Sequence, residues 1–109
     1  GAACDMLDVQ PTPSISGYRN STEASWGGNV IYAEGGYHLF VAQFVNGCPL
    51  GEWGSASSII RAESDSALGP FTFKETVIPA FSHNPTIRKS PHDGLYYLYM
   101  IGAGDSPDP

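Results

Sequence analysis

Short apolar runs separated by turn residues dominate the chain from Asn29 onward. Residues 29–33 lead through Glu34-Gly35-Gly36, a tight-turn pattern, into a longer run over 37–45, which predicts a β-hairpin. In its second arm Tyr37, Leu39, Val41 and Val45 fall on one face, and His38, Phe40, Ala42 and Phe44 on the other. Both faces are mostly apolar, so this strand is expected to be buried on both sides, as between stacked sheets. Residues 57–63 read as a third strand, since the β-branched pair Ile59-Ile60 favours a strand over a short helix across 55–68. Gly69-Pro70 then turns the chain into 71–78, where Phe71, Phe73 and Val77 alternate with Thr72, Lys74 and Thr76. That alternation predicts one wet face and an outer position.

The pattern then restarts. Asn84-Pro85-Thr86-Ile87 echoes Asn29-Val30-Ile31 at a spacing of 55, and Gly94-Leu95-Tyr96-Tyr97-Leu98-Tyr99-Met100-Ile101 echoes the run from Gly36 at a spacing of 59, matching Tyr37 to Tyr96. A four-stranded unit recurring after about 50 residues is the mark of a propeller blade. The fold expected is therefore all-β: an antiparallel four-stranded blade plus the first hairpin of the next. The organisation is an irregular lead-in over 1–25, a blade over 26–80, and the next hairpin with a tail over 81–109. Propellers close with roughly four to eight blades. A chain that stops after a second strand is expected to be part of a longer protein, or to assemble with copies of itself. Doubly apolar strands without a neighbouring sheet point the same way, towards a homo-oligomer of the isolated chain.

Composition narrows the function classes. Eleven acidic against five basic residues give a net charge of −6, which argues against nucleic-acid or anionic-membrane partners. Thirteen glycines and nine prolines interrupt the chain too often for long helices, and no apolar stretch approaches the roughly 18 residues of a membrane span. No P-loop, dinucleotide fingerprint or nucleophile elbow is present, so no cofactor is expected. Cys4 and Cys48 lack metal-ligand spacing, and either free thiols or one disulfide fits them. Glu63 and Asp65 without a ligand-spaced loop do not make a calcium site, and no metal is expected.

The residues just read resemble the five-bladed propeller glycoside hydrolases of the family 43 type, the arabinanase and xylosidase group. The resemblance rests on Gly28-Asn29-Val30-Ile31-Tyr32 followed by Gly36-Tyr37-His38-Leu39-Phe40, on the blade link ending Leu68-Gly69-Pro70-Phe71, and on His83-Asn84-Pro85-Thr86-Ile87 followed by Asp93-Gly94-Leu95-Tyr96-Tyr97-Leu98-Tyr99. It spans residues 26–102, 77 of the 109. It implies a carbohydrate partner, action on glycosidic bonds of a plant- or algal-type polysaccharide or oligosaccharide, and a secreted or extracytoplasmic setting. A non-catalytic propeller module that binds glycans or protein partners is the alternative, because propellers host both. Family members place carboxylates at the starts of innermost strands, and their inverting chemistry needs two of them. Asn29 and Asn84 stand at those starts here, and an amide cannot act as the base.

The sugar-contacting residues expected on this basis are Trp26, Asn29, His83 and Asn84, gathered at one end of the inner strands with the two asparagines close together. Pro85 holds Asn84 extended and helps aim it. Each has a structural reading too: Trp26 as blade packing, and His83-Asn84 as a tie to a neighbour's backbone. Glu23 is the one catalytic candidate, being the nearest acid upstream of the first inner strand, although a single acid on a polar loop is usually just solvated. Trp53 reads as packing, His38 as a satisfied buried histidine and Glu34 as a solvated turn residue.

Overall fold

A computed structural model describes residues 7–105. The protein is all-β: β1 (Ser25–Ala33), β2 (Gly36–Phe44), β3 (Ser57–Ser64) and β4 (Thr72–Ile78) form one antiparallel sheet in sequential order. A second, two-stranded antiparallel sheet pairs β5 (Ser82–Lys89) with β6 (Tyr96–Gly102). Residues 55–68 hold no α-helix; a single 3-10 turn, Leu50–Glu52, lies in the β2–β3 loop. Among the described residues no helix is long and apolar enough to cross a membrane.

Burial follows the apolar pattern of β2. Phe40 to Phe44 are all buried, so both faces are covered over this half of the strand. One face packs Val41 with Ile60, Ala62 and Phe71, and Tyr18, Val30, Tyr37 and Leu39 close around them. Across the opposite face lies β5, which contacts β1, β2 and β3 and brings in buried Ile87 and Pro85. The four-stranded sheet is thus stabilised from two sides, by the lead-in segment and by the second sheet. Tyr18 forms an isolated parallel bridge with Phe71, and Gly17 bonds across to Leu68 O (2.7 Å) and from Phe71 N (2.8 Å). The lead-in is therefore not wholly irregular.

Three expectations need correction. β4 is exposed along Thr72 to Thr76 on both faces, and Phe73 is among the exposed side chains, because no described residue covers this edge strand. β1 and β5 begin at Ser25 and Ser82, earlier than Asn29 and Asn84, because each strand continues through a bulge that breaks the apolar alternation. The repeat register also changes. In β1 the pairs Trp26↔Ala42 and Asn29↔Phe40 leave two residues opposite one; in β5 the pairs His83↔Ile101 and Thr86↔Tyr99 do the same. Trp26 is therefore the counterpart of His83, Gly27 of Asn84, Gly28 of Pro85 and Asn29 of Thr86, a spacing of 57. The match of Asn29 to Asn84 is wrong by two residues, which the longer turn before Tyr96 absorbs; the match of Tyr37 to Tyr96 at 59 agrees with the observed register.

The bulges explain their residues. Gly27 and Asn84 both sit at positive φ, +62° and +51°, a conformation that glycine adopts freely and asparagine tolerates, so Asn84 is left-handed at the bulge and not extended as expected before Pro85. Gly28, at φ +104°, passes so close to Phe40 that a Cβ would overlap its carbonyl oxygen. Its counterpart Pro85 occupies a bulge, where a residue without an N–H is tolerated.

Candidate functional site

The two bulges meet. Trp26 Nε1 donates to Asn84 Oδ1 at 3.1 Å, and His83 Nδ1 lies 3.2 Å from the same oxygen. The Trp26 ring packs on Phe44 (centroids 4.8 Å) and stands 6.5 Å from the His83 ring. Phe81 and Trp53 complete an aromatic box around His83, at 5.5 Å and 5.2 Å, Trp53 edge-on at 90°. His83 is only 5 % exposed and its Nε2 is buried without a hydrogen-bond partner, whereas Trp53 is 52 % exposed and forms the outer wall.

Asn29 takes a different position. Its Nδ2 donates to Ile87 O (3.1 Å) and its Oδ1 accepts from Ile87 N (2.8 Å), so one side chain satisfies both backbone groups of a β5 residue. This is a tie between sheets, and Asn29 does not join Trp26, His83 and Asn84. Glu23 lies in the turn before β1, where Asn20 Oδ1 accepts from Thr22 N and Glu23 N. Glu23 Oε1 accepts from Gly47 N at 2.9 Å, and its Oε2 is buried without a partner. The expected solvated acid is instead half-buried and holds the β2–β3 loop, the loop that carries Trp53.

A second polar cluster lies on the sheet face where Phe40 opposes Arg61. Arg61 Nε donates to Glu75 Oε1 at 2.7 Å, Arg61 Nη1 to Glu63 Oε1, and Lys74 Nζ sits 3.3 Å from Glu63 Oε2. Burial works against the Arg61 charge, but the hydrogen bonds it donates to Glu75 and Glu63 outweigh it and raise its pKa. The bond from Arg61 draws Glu63 below the usual carboxylate range, with Lys74 assisting. His38 sits within the cluster, Nε2 3.0 Å from Ala33 O and Nδ1 2.9 Å from Arg61 Nη1, so both ring nitrogens are paired, as a satisfied histidine requires. An open groove of about 670 Å³ adjoins the cluster at the hairpin-turn end, between Glu34, Glu63, Asp65 and Lys74.

Among the described residues no group of three or more His, Cys, Asp or Glu is placed to hold a metal. Cys48 is half-buried; Cys4 lies outside the described residues, and with it the question of a bridge.

Sequence reasoning missed Phe81 as a wall of the aromatic box, and the Arg61–Glu75 pair. The second was latent in the sequence, since Arg61 and Glu75 are cross-strand partners, but only the bulged β3–β4 register reveals it. The fold and site define an all-β protein of two packed antiparallel sheets whose first strands converge through matching bulges. Comparison with family models, curated proteins and solved structures finds no match.

Proposed function

We propose that the chain forms one and a half blades of a five-bladed propeller of the glycoside hydrolase family 43 type, with the Trp26–His83–Asn84 end turned towards a glycan. The observation that carries this reading is the meeting of equivalent bulges. In a propeller the first strand of each blade lines the axis, so repeat-related positions on neighbouring first strands come together at one end. The equivalent residues Trp26 and His83 do so, with ring centroids 6.5 Å apart, and Trp26 Nε1 bonds Asn84 Oδ1 across the two bulges at 3.1 Å. The covering of the Phe40 face by β5 also suits blade-on-blade packing.

The chemistry at this end is that of binding. An indole face stacks on a sugar ring, and amide and imidazole groups pair with hydroxyls. Inverting hydrolysis needs an acid and a base carboxyl, whereas the bulge positions carry Gly27 and Asn84. In the hydrolase reading the acid and base come from further blades. The uncharged bulges favour a second reading, a glycan-binding propeller module without catalysis. Two measurements on the purified chain test the proposal. Tryptophan fluorescence should change on titration with arabino- or xylo-oligosaccharides, and no reducing sugar should be released from them. Release of sugar would overturn the division of labour, and the absence of any binding would overturn the glycan reading.

A further inference from the structure

Two histidines in this protein are held in opposite ways. His38 Nε2 faces the Ala33 carbonyl, which can only accept, and Nδ1 faces the Arg61 guanidinium, which can only donate. The ring is therefore the Nε2–H tautomer, complete on both sides. His83 is fixed by a longer chain of constraints. The Trp26 indole N–H is a donor only, so the Asn84 atom facing it must be the amide oxygen. That same oxygen faces His83 Nδ1 at 3.2 Å, and the contact is a hydrogen bond only if Nδ1 carries the proton. Nε2 is then a bare lone pair, and it is the buried ring atom that lacks a partner.

We infer that His83 Nε2 is a hydrogen-bond acceptor for a ligand hydroxyl, kept in that state by Trp26 acting through Asn84. Buried polar atoms are paired in folded proteins as a rule, and an exception calls for a missing partner. The missing partner must donate, because Nε2 in this tautomer can only accept. The walls select its character further: Trp26, Trp53 and Phe81 offer aromatic surface around one acceptor. A ligand with both a hydroxyl and an apolar C–H face fits, which is the chemistry of a glycosyl unit; this choice of ligand rests on the reading of the function given above. Trp53, half exposed and edge-on to the ring, is the wall such a ligand would displace. In fixing the tautomer, Trp26 and Asn84 act through His83 as positioning residues.

Nitrogen-15 spectra of the histidine rings test this on the intact chain, with His38 as an internal control. The expected result is the Nε2–H tautomer at His38 and the Nδ1–H tautomer at His83. Trp26→Phe, which keeps the packing on Phe44 but removes the donor, should turn His83 into a tautomer mixture and leave His38 unchanged. Arabinotriose or xylotriose should shift the His83 Nε2 resonance, and Trp26→Phe and Asn84→Ala should each weaken that binding about tenfold. An Nε2–H or doubly protonated His83 in the free protein would overturn the inference, as would oligosaccharide binding that leaves Nε2 unmoved. If neither oligosaccharide binds, the glycan reading fails, and glycerol then decides: a shift at Nε2 upholds the acceptor role for hydroxyls, and no shift overturns it.

Discussion

The β1–β2 and β5–β6 hairpins are two versions of one unit in different surroundings. In the observed register β2 residues 38, 40 and 42 correspond to β6 residues 97, 99 and 101. Phe40 and Ala42 are 9 % and 0 % exposed; Tyr99 and Ile101 are 62 % and 53 % exposed. The side chains are of similar apolar character, so the difference lies in what covers them. β2 has β3 beside it and β5 across its Phe40 face, while among the described residues β6 has neither a further strand nor a covering sheet. The open face of β6 is the counterpart of the face that β5 covers. An apolar strand is thus buried by its neighbours, not by its own sequence, and β6 is patterned for neighbours it does not have here.

Substitution in β2 against β6, and in β1 against β5, should widen this contrast most. Phe44→Ala empties a fully buried site against Trp26 and should cost about 3–5 kcal/mol, whereas Tyr99→Ala should stay within about 0.5 kcal/mol, both measured by urea unfolding. Asn29→Ala leaves the Ile87 N–H and C=O without partners and should cost about 1–3 kcal/mol. Thr86→Ala, at the equivalent place in β5, should cost less than about 1 kcal/mol. Equal losses at the two positions would remove Asn29 as a tie between the sheets.

Association probes the open side of β6. Edge strands are protected by charges, and the exposed edge strand β4 carries Lys74 and Glu75, but Tyr96 to Gly102 carry none. The chain should weigh as a dimer or larger in light scattering at high concentration, and Tyr99→Lys with Ile101→Lys should weaken that association roughly tenfold or more. A clean monomer of the unaltered chain would refute this.

The smallest effect concerns the β5–β6 turn. Tyr97 Oη donates to Asp93 Oδ2 at 2.7 Å and Leu95 N to Oδ1 at 3.0 Å. The Tyr97 bond, then the Leu95 bond, hold the Asp93 carboxyl below its ordinary value of 3.8, and the same contact with Asp93 raises Tyr97 above 10.0. A lowered acid stabilises the fold above its ordinary value and loses that contribution as pH falls through the lowered one. A raised phenol does the reverse, losing its contribution as pH rises through the raised value. Amide protection in the turn should therefore be flat between these limits and fall outside them, and Tyr97→Phe should remove most of the dependence.

The strands were legible because β2 is apolar on both faces, the β-branched pair Ile59-Ile60 marks β3, and Gly-rich turns separate them. The bulges were not, because a two-against-one pairing is a property of two strands at once. That is why Asn29 and Asn84 looked equivalent in a linear alignment when Gly27 is the true partner of Asn84. Trp26, His83 and Asn84 were readable as a cluster from their places near strand starts. The role of Asn29 was hidden, since its partner is backbone 58 residues away.

The clasp between Gly17 and Phe71 sets an order of events. The β1–β2 hairpin closes through the two-residue turn Glu34-Gly35, and such hairpins form in about 1–10 µs. The clasp joins residues 54 apart and has a surface to settle on only once β3 has delivered the 68–71 turn. Loop closure over such a separation is entropically disfavoured until prior contacts shorten it. Tyr18 is therefore expected to dock late in folding, onto a sheet already assembled, where it covers the Phe71 side of the apolar core.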